Sequence, residues 1–418
     1  MGGPDTGGRL AALHAGALVA LAAFLGLFEG PAQILTVACL LLALGAGAAR
    51  GWRPDVITLG VLLWGLAGIP GLIIMRGHGL SSGETTKPLM ALALLVGAWS
   101  VAPAPARLQH RLAWAFGGAL VLNGIYGLVQ WKVGALPWDH LFLKNPENAQ
   151  LYIPGRVFHE RAASGLFYNR LRLAHVGVVA LGLLGLVAFR GDAPRRPRVF
   201  AAVGAALLTA AVVLTYARTA MLGLVVGVAA VLLVRAGRRS RALVWVALTG
   251  ALAGGTFLLT EYGRRRFADL LPDLELRRAM FECAVGMFED HPVLGVGHGV
   301  YRLAVDAYAR PPLAGVHLTS PHNQWLQVLA ETGLVGALGF TVAWGAALVA
   351  AVRAARRTRA VREEAVLLGL VALSVVGLFH TTLHHAGVAL VYWTLVGVAS
   401  GATPRREIGR WRSENQAR

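Results

Sequence analysis

Charge is what this sequence has least of. Only 14% of its 418 residues are Asp, Glu, Lys or Arg, whereas 56% are hydrophobic and the mean hydropathy is +0.59. An ordinary soluble domain carries roughly a quarter charged residues, so a water-soluble globular fold is excluded and an all-α polytopic membrane protein is expected. Cysteine is almost missing as well. Cys39 lies inside an apolar run and Cys283 far from it, so no disulfide framework is available and both are expected as free thiols. No cleavable leader is evident: the first apolar run follows one arginine and has the length of a true span, so it is read as a retained helix.

What is there is a succession of apolar runs, each near the ~20 residues that a spanning helix needs. They lie near 11–28, 32–49, 55–75, 88–102, 112–131, 172–189, 199–217, 219–234, 242–260, 333–352, 364–380 and 386–402, so about twelve spans in a single membrane domain, 1–418, are expected. With the N-terminus inside, most of the arginine falls in short inner segments, including 190–198, 235–241, 353–362 and the 405–418 tail. Both termini are then cytoplasmic. The net charge of +18 reads as an orientation and lipid-headgroup signal, with membrane lipids and no nucleic acid as partners.

Two polar segments remain outside. The first long loop covers 132–171. The second, 261–321, is partly helical: Leu274 to Glu289 is amphipathic, with Leu276, Met280, Ala284 and Met287 on one face. His291-Pro292 ends that helix. A glycine-rich turn follows at 293–299, read as a tight turn and not a dinucleotide fingerprint, and then a short helix from Tyr301 to Tyr308. Arg264, Arg265 and Arg266 are read as contacts to anionic headgroups. Ser320-Pro321 has the form of a helix start, with Ser320 as cap. His322 and Asn323 would then occupy the first turn, where the positive end of the helix dipole favours a neutral imidazole able to accept a proton. Glu331-Thr332-Gly333 would form a joint before the next span.

Arg218 is the only charge between Val199 and Val234. That run of roughly 36 residues would be about 54 Å long as one helix, too long for one membrane crossing. It must fold back near Tyr216 to Thr219, which puts Arg218 at the outer surface, as either a functional group or a snorkelling anchor. Arg277 and Arg278 open the amphipathic helix with guanidinium forks suited to phosphate oxygens. His380, His384 and His385 close the eleventh span. His380 and His384 share a helix face at a metal-ligand spacing, but no nearby Asp, Glu or Cys completes a set, so no metal is expected.

These residues resemble a known family. Ser-Pro-His-Asn-Gln-Trp-Leu-Gln-Val-Leu-Ala-Glu-Thr-Gly-Leu-Val-Gly (320–336) is similar to the His-Asn…Glu-x-Gly-x-x-Gly signature of the bacterial O-antigen ligase and O-antigen polymerase superfamily. Arg277 to Tyr301 resembles its Arg…Pro-x-x-Gly-x-Gly block, Leu214 to Ala220 its Ser-Arg turn, and Phe379 to Leu383 its His-Ser-Leu run. Ala217 stands where the family has Ser, and Phe281 where it has Trp. The resemblance implies a GT-C-like glycosyltransferase of the bacterial inner membrane, active on the periplasmic face. Its donor would be a glycan on undecaprenyl pyrophosphate, and its acceptor lipid A-core, or another lipid-linked repeat in a polymerase. No cofactor is implied. By position, His322 would be the general base and Arg218 and Arg277 would hold the pyrophosphate, with Arg278 competing for that role. Asn323, Tyr216 and His380 would support them.

Composition alone also admits a polysaccharide transporter or flippase, but no inverted repeat and no paired broken helices are visible. Transfer activity is expected to survive EDTA. Loss under chelation, restored by a divalent ion, would put a metal at the histidines.

Overall fold

The computed structural model describes residues 6–47, 53–75, 87–139, 161–167, 169–191, 193–236, 270–309 and 320–401. In chain order the α-helices are α1 (Thr6–Leu25), α2 (Glu29–Gly45), α3 (Val56–Ala67), α4 (Ile69–Met75), α5 (Ala93–Val96), α6 (Ala106–Val133), α7 (Arg170–Ala188), α8 (Arg195–Val213), α9 (Arg218–Ala236), α10 (Leu270–Asp290), α11 (Tyr301–Tyr308), α12 (Gln324–Thr358), α13 (Val361–Gly377) and α14 (Ala386–Gly401). No strand occurs among the described residues. Among the described residues six helices are long and apolar enough to cross a membrane: α1, α6, α7, α8, α9 and α12. Every other expected span except the ninth, 242–260, coincides with a shorter helix or helical run. The ninth lies outside the described residues, as do Arg264, Arg265 and Arg266.

Burial sorts the helices. From Leu173 to Gly182, α7 is buried on every side, so it is the axis of the bundle. Others keep a lipid-facing stripe, as with Ile34 on α2 and Phe200 on α8, both more than two-thirds exposed to the surroundings. With lipid on the outside there is no water to drive helices together, so small residues that admit close backbone approach set the contacts. Gly60 of α3 and Gly339 of α12 face each other; a Cβ on either would stand 2.6 Å from the other's carbonyl oxygen. A Cβ on Gly397 of α14 would stand 2.0 Å from Leu94 O of α5. On α9, Gly223 meets Ala372 and Val376, and Gly227 meets Leu368. That pairing makes α9 and α13 antiparallel and sets Arg218, at the start of α9, level with the residues just past the end of α13.

The fold-back after α8 occurs where the charge pattern places it, over residues 214–217. Neither Gly nor Pro makes it. Tyr216 takes a left-handed φ of 56°, and the Thr215 hydroxyl donates to Val212 O at 2.6 Å and accepts from Ala217 N at 3.2 Å. The fourth expected span is not a regular α-helix. It is 3-10 over Lys87–Leu92 and π over Gly97–Val101, on either side of α5. The near ends of the first long loop are tied to α6: Asp139 accepts from Tyr126 and from Leu136 N, and Gln130 and Asn123 bond Gly165 and Leu166.

Gly397→Val forces its side chain into the Leu94 backbone. Overpacking of this kind costs about 1–3 kcal/mol, and the variant is expected to melt several degrees lower in detergent than wild type.

Candidate active site

The start of α12 is displaced from its expected position. Ser320 is not the cap. Asn323 is, with extended backbone, and its side-chain oxygen accepts from Trp325 N at 2.9 Å and Leu326 N at 3.0 Å. His322 therefore stands just before the helix and not in its first turn. Its φ of 51° is left-handed, which is uncommon for a residue with a Cβ. The shift has a physical reason. Asn caps as well as Ser, and the same carboxamide donates from Nδ2 to Leu378 O at 3.0 Å. One side chain thus closes the helix and joins it to the end of α13.

That end of α13 gathers the site. Helical hydrogen bonding stops at Gly377, and the carbonyls that follow are free to accept. Leu378 O takes Asn323, and Phe379 O takes Arg277 Nη1 at 3.0 Å. Leu383 N donates to Gln324 Oε1 at 2.9 Å. The ring of His380 lies 6.2 Å, centroid to centroid, from that of His322 and 5.2 Å from that of His175 on α7. His380 is partly buried. Burial first, then the neighbouring His175, His322, Arg277 and Arg170, hold its pKa well below the ordinary imidazole value. It is a neutral ring among cations.

Of the expected arginines, the structure brings Arg277 into this cluster and not Arg278. Arg278 is 83% exposed and pairs with Glu282 of its own helix at 2.9 Å. Arg218 is exposed at the head of α9 and forms no ion pair with any described residue. Tyr216 is half-buried in the adjoining turn. Arg170 Nη1 donates to Thr215 O at 2.5 Å, which ties that turn to α7.

Sequence reading passed over His175. It is fully buried, and neither ring nitrogen has a hydrogen-bond partner. A signal was present: it is an ionisable residue inside an apolar span, which is a functional candidate by default. The pairing of His384 with Glu331 was also missed. Their sequence separation hides it, yet Glu331 Oε2 lies 3.6 Å from His384 Nε2. His380 and His384 do not share a helix face, because α13 ends before both: His380 turns toward His322 and His384 toward Glu331. Among the described residues no group of three His, Cys, Asp or Glu is placed to hold a metal ion.

Glu331 is a buried carboxylate with several donors. Gln327 Nε2 reaches it at 2.5 Å and Tyr301 N at 3.4 Å. Its peptide sits where the glycine-rich turn crosses α12. Val296 N donates to Ala330 O at 2.9 Å, Gly297 N to Glu331 O at 2.8 Å, and Leu334 N to Pro292 O at 2.8 Å. The crossing needs glycine. Gly333 breaks the helix at φ 58°, ψ −163°, and a Cβ there would lie 2.4 Å from Val293. The expected joint is this kink. The turn also carries His298, buried beside Trp64 with ring centroids 5.0 Å apart, and burial lowers its pKa. Beyond the turn, α10 and α11 pack on α12 through Met280, Met287, Tyr301 and Ala330, as the amphipathic pattern of 274–289 requires.

Apolar helices around a buried axis, with imidazoles and guanidiniums gathered at one end, define a multi-pass membrane protein with a cationic, histidine-rich cluster. The family model described as O-antigen ligase matches residues 203–341, which include Arg218, Arg277 and His322. Over that stretch the chain is similar to the O-antigen ligase family, and the match supports a function of the O-antigen ligase or polymerase type. None of the curated proteins compared with the chain matches it.

A group whose folded pKa is depressed binds fewer protons in the native state than in the unfolded one. Stability from a neutral His380 is therefore full above the unfolded value near 6.5 and declines as pH falls below it. Wild-type melting temperature is expected to drop between about pH 6.5 and pH 5, and His380→Gln to flatten that drop.

Proposed function

We propose that this chain is a GT-C-like glycosyltransferase with about twelve spans, both termini cytoplasmic, acting at the periplasmic face of the bacterial inner membrane. It would transfer a glycan from undecaprenyl pyrophosphate to an acceptor hydroxyl, with lipid A-core as acceptor, in the manner of an O-antigen ligase. One observation supports the reading: α10, α12 and α7 bring Arg277, His322 and His175 to the short strip that follows α13, and α9 begins level with it.

The chemistry asks for little more. A polyprenyl pyrophosphate leaves readily once its charge is neutralised, so cations at the phosphates and one base for the hydroxyl suffice. Arg277 donates from Nη1 to Phe379 O at 3.0 Å, and its guanidinium would hold phosphate oxygens. Arg218, at the head of α9, would take the second phosphate. His322 would remove the acceptor proton as the hydroxyl oxygen attacks the anomeric carbon. The C–O bond to phosphate breaks, and the electron pair leaves with undecaprenyl pyrophosphate. Attack opposite the leaving group inverts the anomeric configuration. Neutral His380 and Asn323 keep His322 in place without adding positive charge beside it. Arg278, paired outward with Glu282, is the weaker of the two candidate clamps. The family match supports a polymerase equally, with a second lipid-linked repeat as acceptor.

Purified enzyme supplied with lipid-linked glycan and both acceptors tests the reading. Wild type should release undecaprenyl pyrophosphate and invert the anomer. His322→Ala should lower the rate by ~10²-fold or more while still folding. Arg277→Lys and Arg218→Lys should fail in the same assay, and Arg278→Ala should remain near wild type. Near-normal transfer by His322→Ala would refute the base assignment, and glycan crossing liposomes without bond breakage would replace the enzyme with a flippase.

A further inference from the structure

The glycine-rich turn that crosses α12 carries two apolar side chains that the described residues leave uncovered. Val293 is 60% exposed and Leu294 39%. From 292 to 297 the sequence is Pro-Val-Leu-Gly-Val-Gly, with no polar side chain to offset them in water.

The turn lies at one end of two apolar helical runs. Pro292 O accepts from Leu334 N at 2.8 Å and Val293 O from Val335 N at 3.2 Å, where the apolar part of α12 begins. On its other side Gly297 packs against Gly71, at the end of the apolar run formed by α3 and α4; a Cβ on Gly71 would stand 1.9 Å from Gly297 Cα. Both runs expose apolar side chains close to this level. Leu334 and Leu338 on α12, and Ile69 and Ile73 on α4, are each more than two-fifths exposed. Val293 and Leu294 thus extend the surface that these helices present to lipid.

Non-helical backbone is tolerated at membrane depth only where protein serves its polar groups. Pro292 has no N–H, and its carbonyl and that of Val293 are taken by α12. Gly295 N donates to His291 O at 3.0 Å and Val296 N to Ala330 O at 2.9 Å. Charge sets the limit of depth. Glu289, Asp290 and His291 come immediately before the turn and are exposed, which keeps the end of α10 at headgroup height and the insertion shallow.

We propose that Val293 and Leu294 are inserted into the acyl region of the leaflet on the side of the histidine cluster, so that the bilayer itself holds the α10–α11 unit against α12. The partner is lipid hydrocarbon. The inference needs only a multi-pass membrane protein and stands apart from the proposed reaction, although a seated α10 would also hold Arg277 at the height of a lipid-borne phosphate.

Spin labelling of the full chain in phospholipid vesicles tests this. Cys39 and Cys283 are buried, and wild type carried through the same labelling gives their background. Nitroxides on Val293→Cys and Leu294→Cys are compared with one on Leu338→Cys, at the exposed face of α12, and one on Asp306→Cys, exposed on α11. Collisions at 293 and 294 should shift toward oxygen and away from a water-soluble nickel chelate, as at 338 and opposite to 306. Labels at 293 and 294 that match 306 would overturn the proposal and leave the pair as a contact surface for another protein. On the unmodified chain, a diazirine carried on a lipid acyl chain should mark the 292–297 segment. Marking of α12 with none on that segment would overturn the proposal as well.

Discussion

Everything at the functional end depends on one backbone crossing. In a bilayer, an interrupted helix must satisfy its freed amides and carbonyls within the protein. Gly333 interrupts α12, and the turn at 292–297 answers it with main-chain hydrogen bonds to Ala330, Glu331 and Leu334. Only residues without a Cβ allow the two backbones so close. The bonds clamp the α10–α11 unit onto α12, and that clamp brings Arg277 to the strip on which Asn323 and His322 also depend. The glycine-rich motif is thus a piece of joinery, and the placing of the Arg277 guanidinium relative to the His322 imidazole is set by main chain before any side chain contributes.

The strip after α13 plays the complementary part. Carbonyls left open by the helix end receive Asn323 and Arg277, and the imidazole of His380 fills the space between α7 and the head of α12. Burial and nearby guanidiniums keep that imidazole uncharged. A further cation as the bridging group would be repelled by the arginines beside it. A neutral ring gives contact without repulsion, and the positive potential stays where an anion can reach it.

Much of this was legible beforehand because local chemistry governs it. Hydropathy located the apolar helices that the structure describes, the isolated Arg218 located the fold-back, and the spacing of Met280, Ala284 and Met287 located the face of α10. Helix capping was less legible, since Ser320 and Asn323 are both good caps and the choice turned on a partner, Leu378 O, that lies 55 residues away. The same holds for His384 with Glu331. Apolar periodicity cannot announce a contact between distant segments, so the histidines read as one metal-spaced pair separate into two environments. His175 was hidden for another reason: α7 is apolar all round, so no face distinguished its one imidazole.

The all-round burial of α7 bears on how the protein is made. A helix whose centre meets only protein, and which carries an imidazole with unbonded nitrogens, is a poor resident of open lipid. Its neighbours α13 and α14 are encoded far downstream. The axis of the bundle therefore enters the bilayer before its surroundings exist, and its final seating waits on synthesis of the last two helices. Truncation ahead of Val361 would leave the nascent chain with an unsheathed core, a substrate for quality control in the membrane.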